Sequence, residues 1–233
     1  MRRIQKLIYT ILSISGFVPN HLTLTRLIFM GTSVWFSIAI LPQFFVLKYA
    51  IGYFLISTIL YIGFIYLVLP KKGLRLNLIK KFGEEKAYLY YEGFLAFAFL
   101  HNGISLSFIS QSSAGYGPWD GIPSTITIII AILLTALGLG TKIWAAYVVG
   151  IPIYYWKDMF LGRKIQHFVV SGPYKYFANP MYGIGQLQVY AIALYYESFY
   201  GLLFGAINQS LIFLFYLTVE KSFIKRTYVQ PKI

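Results

Sequence analysis

Long apolar runs separated by short polar stretches dominate the chain. A bilayer crossing needs about 20 mostly apolar residues. Residues 27–47 and 49–69 supply two such runs, and 93–111 a third, with His101 and Asn102 inside it. Residues 124–143 form a fourth, carried by the isoleucine-rich stretch 126–134. Residues 183–196 and 201–219 give two more, the first short for a full crossing. The opening apolar stretch, 7–18, follows Arg2, Arg3 and Lys6, as the core of a secretory signal would. No small-x-small cleavage site comes after it, so it reads as an interfacial or short spanning helix. The pattern predicts an all-α, polytopic integral-membrane helical bundle, with about five to six transmembrane helices and an interfacial N-terminal helix.

Charge orients this bundle. Lys71, Lys72, Arg75, Lys80, Lys81 and Lys86 fall between the second and third long runs, whereas 112–123 holds no Lys or Arg. Lys157, Arg163, Lys164 and Lys175 fill the next long loop, the turn at Glu197 has none, and Lys221, Lys225, Arg226 and Lys232 close the tail. Basic and empty loops alternate, which places 70–92, 150–182 and the tail in the cytoplasm. Arg2, Arg3, Lys6 and Arg26 all favour that side as well, which requires the first helix to lie in the interface. The expected location is the cell membrane of a prokaryote or the endoplasmic reticulum membrane of a eukaryote.

Composition narrows the function classes. The chain is 58% hydrophobic and 12% charged, about half the charge of a soluble domain. Its net charge of +13, from 20 Lys+Arg against 7 Asp+Glu, reads as membrane-loop bias. No basic stretch forms a groove-reading motif, so no nucleic acid is expected. Cysteine is absent, and His21, His101 and His167 lie far apart, so no metal site is expected. Glycine-containing spans leave the oligomeric state open. Residues 1–123 form an N-terminal membrane region of no evident role, and 124–233 hold the candidate chemistry.

That chemistry centres on 150–182. The loop contains Asp158 and His167, a Gly172-Pro173 turn, and Asn179-Pro180, which is expected to start the next helix. A helix start there offers free N–H groups to a carboxylate or phosphate, or simply caps the chain. Glu220 closes the last apolar run and is a functional candidate by its depth; the alternative is pairing with Lys221 or a loop lysine. Asp158 has the same alternative with Lys157.

Gly172-Pro173-Tyr174-Lys175-Tyr176, then Asn179-Pro180-Met181-Tyr182-Gly183, then Val219-Glu220 and Tyr228 resemble the C-terminal signature of integral-membrane lipid methyltransferases. The resemblance is strongest to phosphatidylethanolamine N-methyltransferases. It covers roughly 137–228. The stretch 154–160, Tyr-Tyr-Trp-Lys-Asp-Met-Phe, is similar to the Tyr-Trp-Gly-Asp-Phe of fungal-type members, with Lys157 in the glycine's place. That substitution implies a narrower site or a shifted acceptor. Animal-type members carry Glu-Glu where this chain has Glu220-Lys221; fungal-type members tolerate one Glu.

The resemblance implies S-adenosylmethionine as methyl-donor cosubstrate, bound between the loop and the last two spans, and a membrane lipid amine as acceptor. Methyl transfer from a sulfonium to an amine needs alignment, exclusion of water and loss of the amine proton. On this reading, backbone N–H groups near Asn179, Pro180, Met181, Tyr182 and Gly183, with a Gly138-Leu139-Gly140 bend, take the donor's polar end. Read from the residues alone, Gly138 and Gly140 fit helix-packing better than such a bend. Glu220 takes the donor ammonium. Tyr174, Tyr176 and Tyr182 line the adenine or the sulfonium, or else belong to an interfacial aromatic belt. His167 or Asp158 serves as base or amine ligand, Trp156 lies on the acceptor side, and Lys175, Arg163 or Lys164 pairs with a lipid phosphate. Competing readings are an isoprenylcysteine carboxyl methyltransferase, disfavoured by Asn179 in place of His, an NADPH-dependent lipid or sterol reductase, and a non-catalytic scaffold or transporter subunit.

Overall fold

A computed structural model describes residues 3–18, 23–44, 46–165, 167 and 169–229. Arg2, His21 and Lys232 lie outside them. Every regular element among the described residues is helical. Helix α1 is Arg3–Ile14, and α2, Leu24–Gln43, is the first long apolar helix. Helix α3 is Leu47–Val68, α4 is Arg75–Phe82, and α5 is Glu84–Ser112. Helix α6 is Ser124–Val149, followed by two short turns of helix, α7 (Ile151–Tyr154) and α8 (Lys157–Leu161). Helix α9 is Ile184–Tyr195 and α10 is Phe199–Val229. Helices α2, α3, α5, α6 and α10 are long and apolar enough to cross a membrane, so the protein is a polytopic helical membrane bundle. The α6 face carrying Ile129, Ile132 and Leu133 is more than half exposed, as lipid contact requires.

Three boundaries differ from the apolar pattern. Helix α5 starts at Glu84, well before its apolar run, because Glu84 and Glu85 suit the positive end of the helix dipole. Helix α10 does not stop at Glu220; it continues to Val229, 31 residues in all, about 45 Å at 1.5 Å per residue. Near Glu220 the helix widens, and the Lys221 N–H bonds to the Tyr216 carbonyl five residues back. Such π-type turns concentrate at functional sites.

The third difference concerns α9. Asn179-Pro180 does not start it. The chain turns instead, Gly183 N–H donating to Asn179 O at 3.0 Å and Gly185 N–H to Pro180 O at 2.8 Å. The helix begins only at Ile184 and runs 12 residues, about 18 Å against a hydrocarbon core of about 30 Å. The backbone before it is irregular, which is tolerated next to apolar helices where protein satisfies its polar groups. Gln209 on α10 does so, donating from Nε2 to Tyr182 O at 2.8 Å and Gly183 O at 3.3 Å.

Polar groups inside the spans are tied to one another. His101 bridges Tyr53 (2.6 Å) and Ser33 (3.1 Å), Asn102 donates to Thr58 (3.0 Å), and Ser57 meets Ser105 (2.9 Å). These contacts fasten α2 and α3 to α5. Tyr61, Tyr91 and Leu95 from the N-terminal half share one core with Tyr155, Phe160 and Phe215 from the C-terminal half. The 150–162 segment is bolted down twice. The Arg75 guanidinium donates to Phe160 O at 3.1 Å and packs on Gly162, where a Cβ would collide with it, and Tyr155 OH donates to Ser13 O of α1 at 2.6 Å.

Candidate functional site

Gly150, at φ 83°, ends α6 and turns the chain into α7. Between α7 and α8, Trp156 adopts a left-handed backbone, φ 54° and ψ 39°. For a bulky residue this costs about 1–3 kcal/mol and marks a constrained position. Its buried indole packs edge-on against Phe215 of α10, ring centres 5.5 Å apart. The turn presents Trp156 and Asp158 to one cleft and sends Lys157 elsewhere, its Nζ 4.8 Å above the Tyr88 ring. The lysine in the glycine position therefore does not narrow the cleft.

That cleft encloses about 870 Å³, part of it open to solvent. Its walls are Val149 at the end of α6, Trp156, Asp158 and Met159, then His167, Val169, Tyr174 and the run Ala178–Tyr182, and one stripe of α10: Tyr216, Glu220, Phe223, Ile224 and Tyr228. Helix α9 contributes none of them, so the cleft lies between the loop and the last span rather than the last two spans. Two carboxylates reach it. Half-buried Glu220 accepts from Tyr182 OH at 2.7 Å, with the Trp156 side chain also hydrogen-bonded to it. Buried Asp158 accepts from Tyr228 OH at 2.8 Å and from Met159 N–H at 2.8 Å. Burial pushes the Asp158 carboxyl above its ordinary range, against the opposing pull of those two hydrogen bonds. Burial, and then the Glu220 charge, push the Tyr174 and Tyr182 phenols up, so both stay protonated donors. Neither carboxylate forms an ion pair with Lys157 or Lys221 among the described residues, whereas Arg163 and Glu84 do pair, at 2.6 Å.

The structure distributes the sequence candidates unevenly. Asp158, His167, Trp156, Tyr174, Asn179, Pro180, Met181, Tyr182 and Glu220 line one cleft. His167 sits exposed at its mouth. Tyr176 is exposed and off the cleft wall, as is Lys175, whose Nζ lies over the Tyr176 ring. Gly183 stands just behind the wall, in the turn onto Asn179. Arg163 is taken by Glu84, and Lys164 stands over Tyr228, 5.7 Å from its ring centre. Gly138 and Gly140 are corrections. Helix α6 runs unbroken through them. Gly138 lets α9 approach, for a Cβ there would lie 2.6 Å from Gln188 N, and Gly140 faces open space. Neither lines the cleft.

The walls carry polar groups with no partner among the described residues. Tyr174 OH is buried with no partner among the described residues, a donor left for a ligand. The Met181 and Tyr182 N–H groups form no backbone hydrogen bond among the described residues, so they are available to a carboxylate. Glu220 and the aromatic faces suit a cation.

A helical integral-membrane protein with an aromatic cleft that holds two carboxylates is the class these features define. Residues 126–231 match the sequence model of the family described as phospholipid methyltransferase. A Kluyveromyces lactis protein named phosphatidylethanolamine N-methyltransferase is 30% identical over 128 residues, which is 55% of this chain and 14% of that protein. An Eremothecium gossypii protein of the same name is 30% identical over 101 residues, 43% of this chain and 12% of that protein. The chain thus spans a small part of the length of these curated relatives. No solved structure matches it. The similarity to the phospholipid methyltransferase family thus falls on the C-terminal part of the chain, where the cleft lies.

Proposed function

We propose that the cleft binds S-adenosylmethionine and that the chain transfers its methyl group to the head-group amine of a membrane phospholipid resembling phosphatidylethanolamine, at the cytoplasmic face. The observation that carries this reading is the convergence of Glu220 and Asp158 on one aromatic cleft inside the family-matched stretch. The names of the two yeast relatives supply the acceptor class.

When bound, the donor supplies an electrophilic methyl group on a sulfonium. The chain's own residues do the rest. Glu220, fixed by Tyr182, binds the donor's ammonium. The Met181 and Tyr182 amides and Tyr174 OH bind its remaining polar groups. Trp156 and Tyr182 offer aromatic faces to positive charge and exclude water. Asp158, fixed by Tyr228, takes the proton from the acceptor ammonium, which exposes the lone pair needed for attack. Its raised affinity for a proton makes it a stronger base than an ordinary carboxylate. Exposed His167 lies at the entrance, where it relays that proton to water.

Membranes from cells expressing the chain, given donor labelled in the methyl group, should place base-stable label in the organic phase. A base-labile product would support carboxyl methylation instead. Absence of labelled lipid would end the reading.

A further inference from the structure

A cationic pocket lies beside the cleft and encloses about 770 Å³, part of it open to solvent. Lys71 and Arg75, from the segment that follows α3, line it together with Arg226 near the end of α10. Ser222 and Thr227 add hydroxyls, and no Asp or Glu is among the described residues around it. Leu69 and Val219 give it an apolar side, and it shares Met159 and Phe223 with the cleft as a wall. Arg75 is the unusual member. It is buried, at 8% exposure, whereas Lys71 and Arg226 are exposed. A guanidinium offers five N–H donors. Arg75 uses Nη1 to hold Phe160 O, and its Nε is buried with no partner among the described residues. No carboxylate pairs with it among those residues. Burial, and then the Arg226 charge, pull its pKa below the ordinary value, yet a guanidinium stays charged. A buried cation next to a second cation, with no acid on the same wall, is costly unless an anion joins them.

We propose that Lys71, Arg75 and Arg226 bind the phosphate of an anionic membrane lipid other than the methyl acceptor. Arginine forks match phosphate oxygens in geometry as well as charge. Leu69 directly follows the α3 span, so the pocket lies where the chain leaves the lipid, within reach of head-group phosphates. Met159 and Phe223 keep this occupant out of the cleft. Because the same guanidinium holds Phe160 O and packs on Gly162, the anion fixes the end of α8, whose start carries Asp158. The site ties the N-terminal half to the family-matched stretch, and it stands whether or not the chain transfers methyl groups.

The test uses the full chain in detergent micelles with dihexanoylphosphatidic acid, which carries a phosphate and no amine, and with dihexanoylglycerol and inorganic phosphate for comparison. The wild type should bind the phosphate-bearing lipid more tightly than either of the other two. Lys71→Gln combined with Arg226→Gln should weaken that binding by about tenfold or more. It should leave dihexanoylglycerol and S-adenosylmethionine affinities unchanged. The phosphate-bearing lipid should raise the unfolding temperature of the wild type and leave that of the double variant where it is. If the double variant does not fold, Arg226→Gln alone is read by the same ratio of probes. Equal affinity of variant and wild type for the phosphate-bearing lipid overturns the proposal. Inorganic phosphate binding as tightly as the lipid would assign the pocket to a soluble anion and overturn it too. So would loss of donor binding with lipid binding intact, which would assign the cations to the donor carboxylate. The binding arms do not depend on turnover, so a chain that binds the lipid here yet transfers no methyl group would overturn the function proposed above and leave this site standing.

Discussion

Replacing Glu220 by glutamine should weaken S-adenosylmethionine binding about 10²-fold, measured by equilibrium dialysis on detergent-solubilised protein, while the helical content and unfolding temperature stay close to wild type. The substitution keeps size and shape, and the amide oxygen still accepts from Tyr182 OH, which lies 2.7 Å from the carboxylate. What disappears is the negative charge opposite the donor's ammonium. Truncating one member of a desolvated charge pair typically costs about 2–5 kcal/mol, because the partner charge is left uncompensated. Tyr182→Phe removes only a neutral donor that fixes Glu220, so its effect on the same measurement should be about three- to tenfold. The order of the two effects separates charge recognition from local packing.

Asp158→Asn should lower the rate of methyl transfer by about 10²–10⁴-fold, the usual contribution of a positioned base, with donor affinity retained. Met159 N–H and Tyr228 OH bond to different Asp158 oxygens, Oδ1 and Oδ2, each at 2.8 Å, so the asparagine keeps one of them as acceptor and its amide N–H can donate to the Tyr228 oxygen instead. His167→Ala, at the exposed mouth, should cost less than about tenfold, since water replaces a relay there. The pH dependence has a fixed sign. Burial raises the Asp158 pKa in the folded protein, so the rate should rise with pH through that raised value as the base loses its proton. Stability moves the other way. The folded state holds the proton more tightly than the unfolded chain, so this group's contribution is full below the ordinary carboxylate pKa of about 3.9. It is lost as pH rises from there through the raised value. Thermal unfolding of Asp158→Asn across that window should lack the decline seen in wild type. A wild-type profile parallel to the variant's would remove Asp158 as a strained buried acid.

The sequence makes the spans legible because each is a long apolar run, and lipid requires nothing subtler of a crossing helix. The four long runs before α9 fall on α2, α3, α5 and α6 within a few residues at most ends. Residues 183–196 fall on α9 within a residue at each end; what misleads is Asn179-Pro180, which turns the chain rather than starting the helix. The side chain of Gln209, 26 residues downstream of Gly183, is what permits the irregular backbone there. Glu220 resembles an end of helix because charged residues follow it, yet α10 continues as an amphipathic extension. Had that continuation been assumed, the spacing of Tyr216, Glu220 and Ile224, with Phe223 between, would have shown one helical stripe facing the cleft. Tyr174, Asn179 and Tyr182 are accessible to sequence reasoning because they lie together in one loop motif. Arg75 is not, because one cation in a basic loop looks solvated. Only its packing against Phe160 and Gly162 reveals that its side chain is buried. The Gly138-Leu139-Gly140 bend fails for a related reason: small residues in a span signal close helix approach as readily as a turn, and here α9 makes that approach.

The most direct test of the cleft is ultraviolet cross-linking of radiolabelled S-adenosylmethionine to the intact chain, with the labelled peptide located by mass spectrometry. The cleft between the loop and α10 predicts label on 149–182 or 216–228, abolished by Glu220→Gln. Label confined to residues 23–112, or undiminished in that variant, would contradict it.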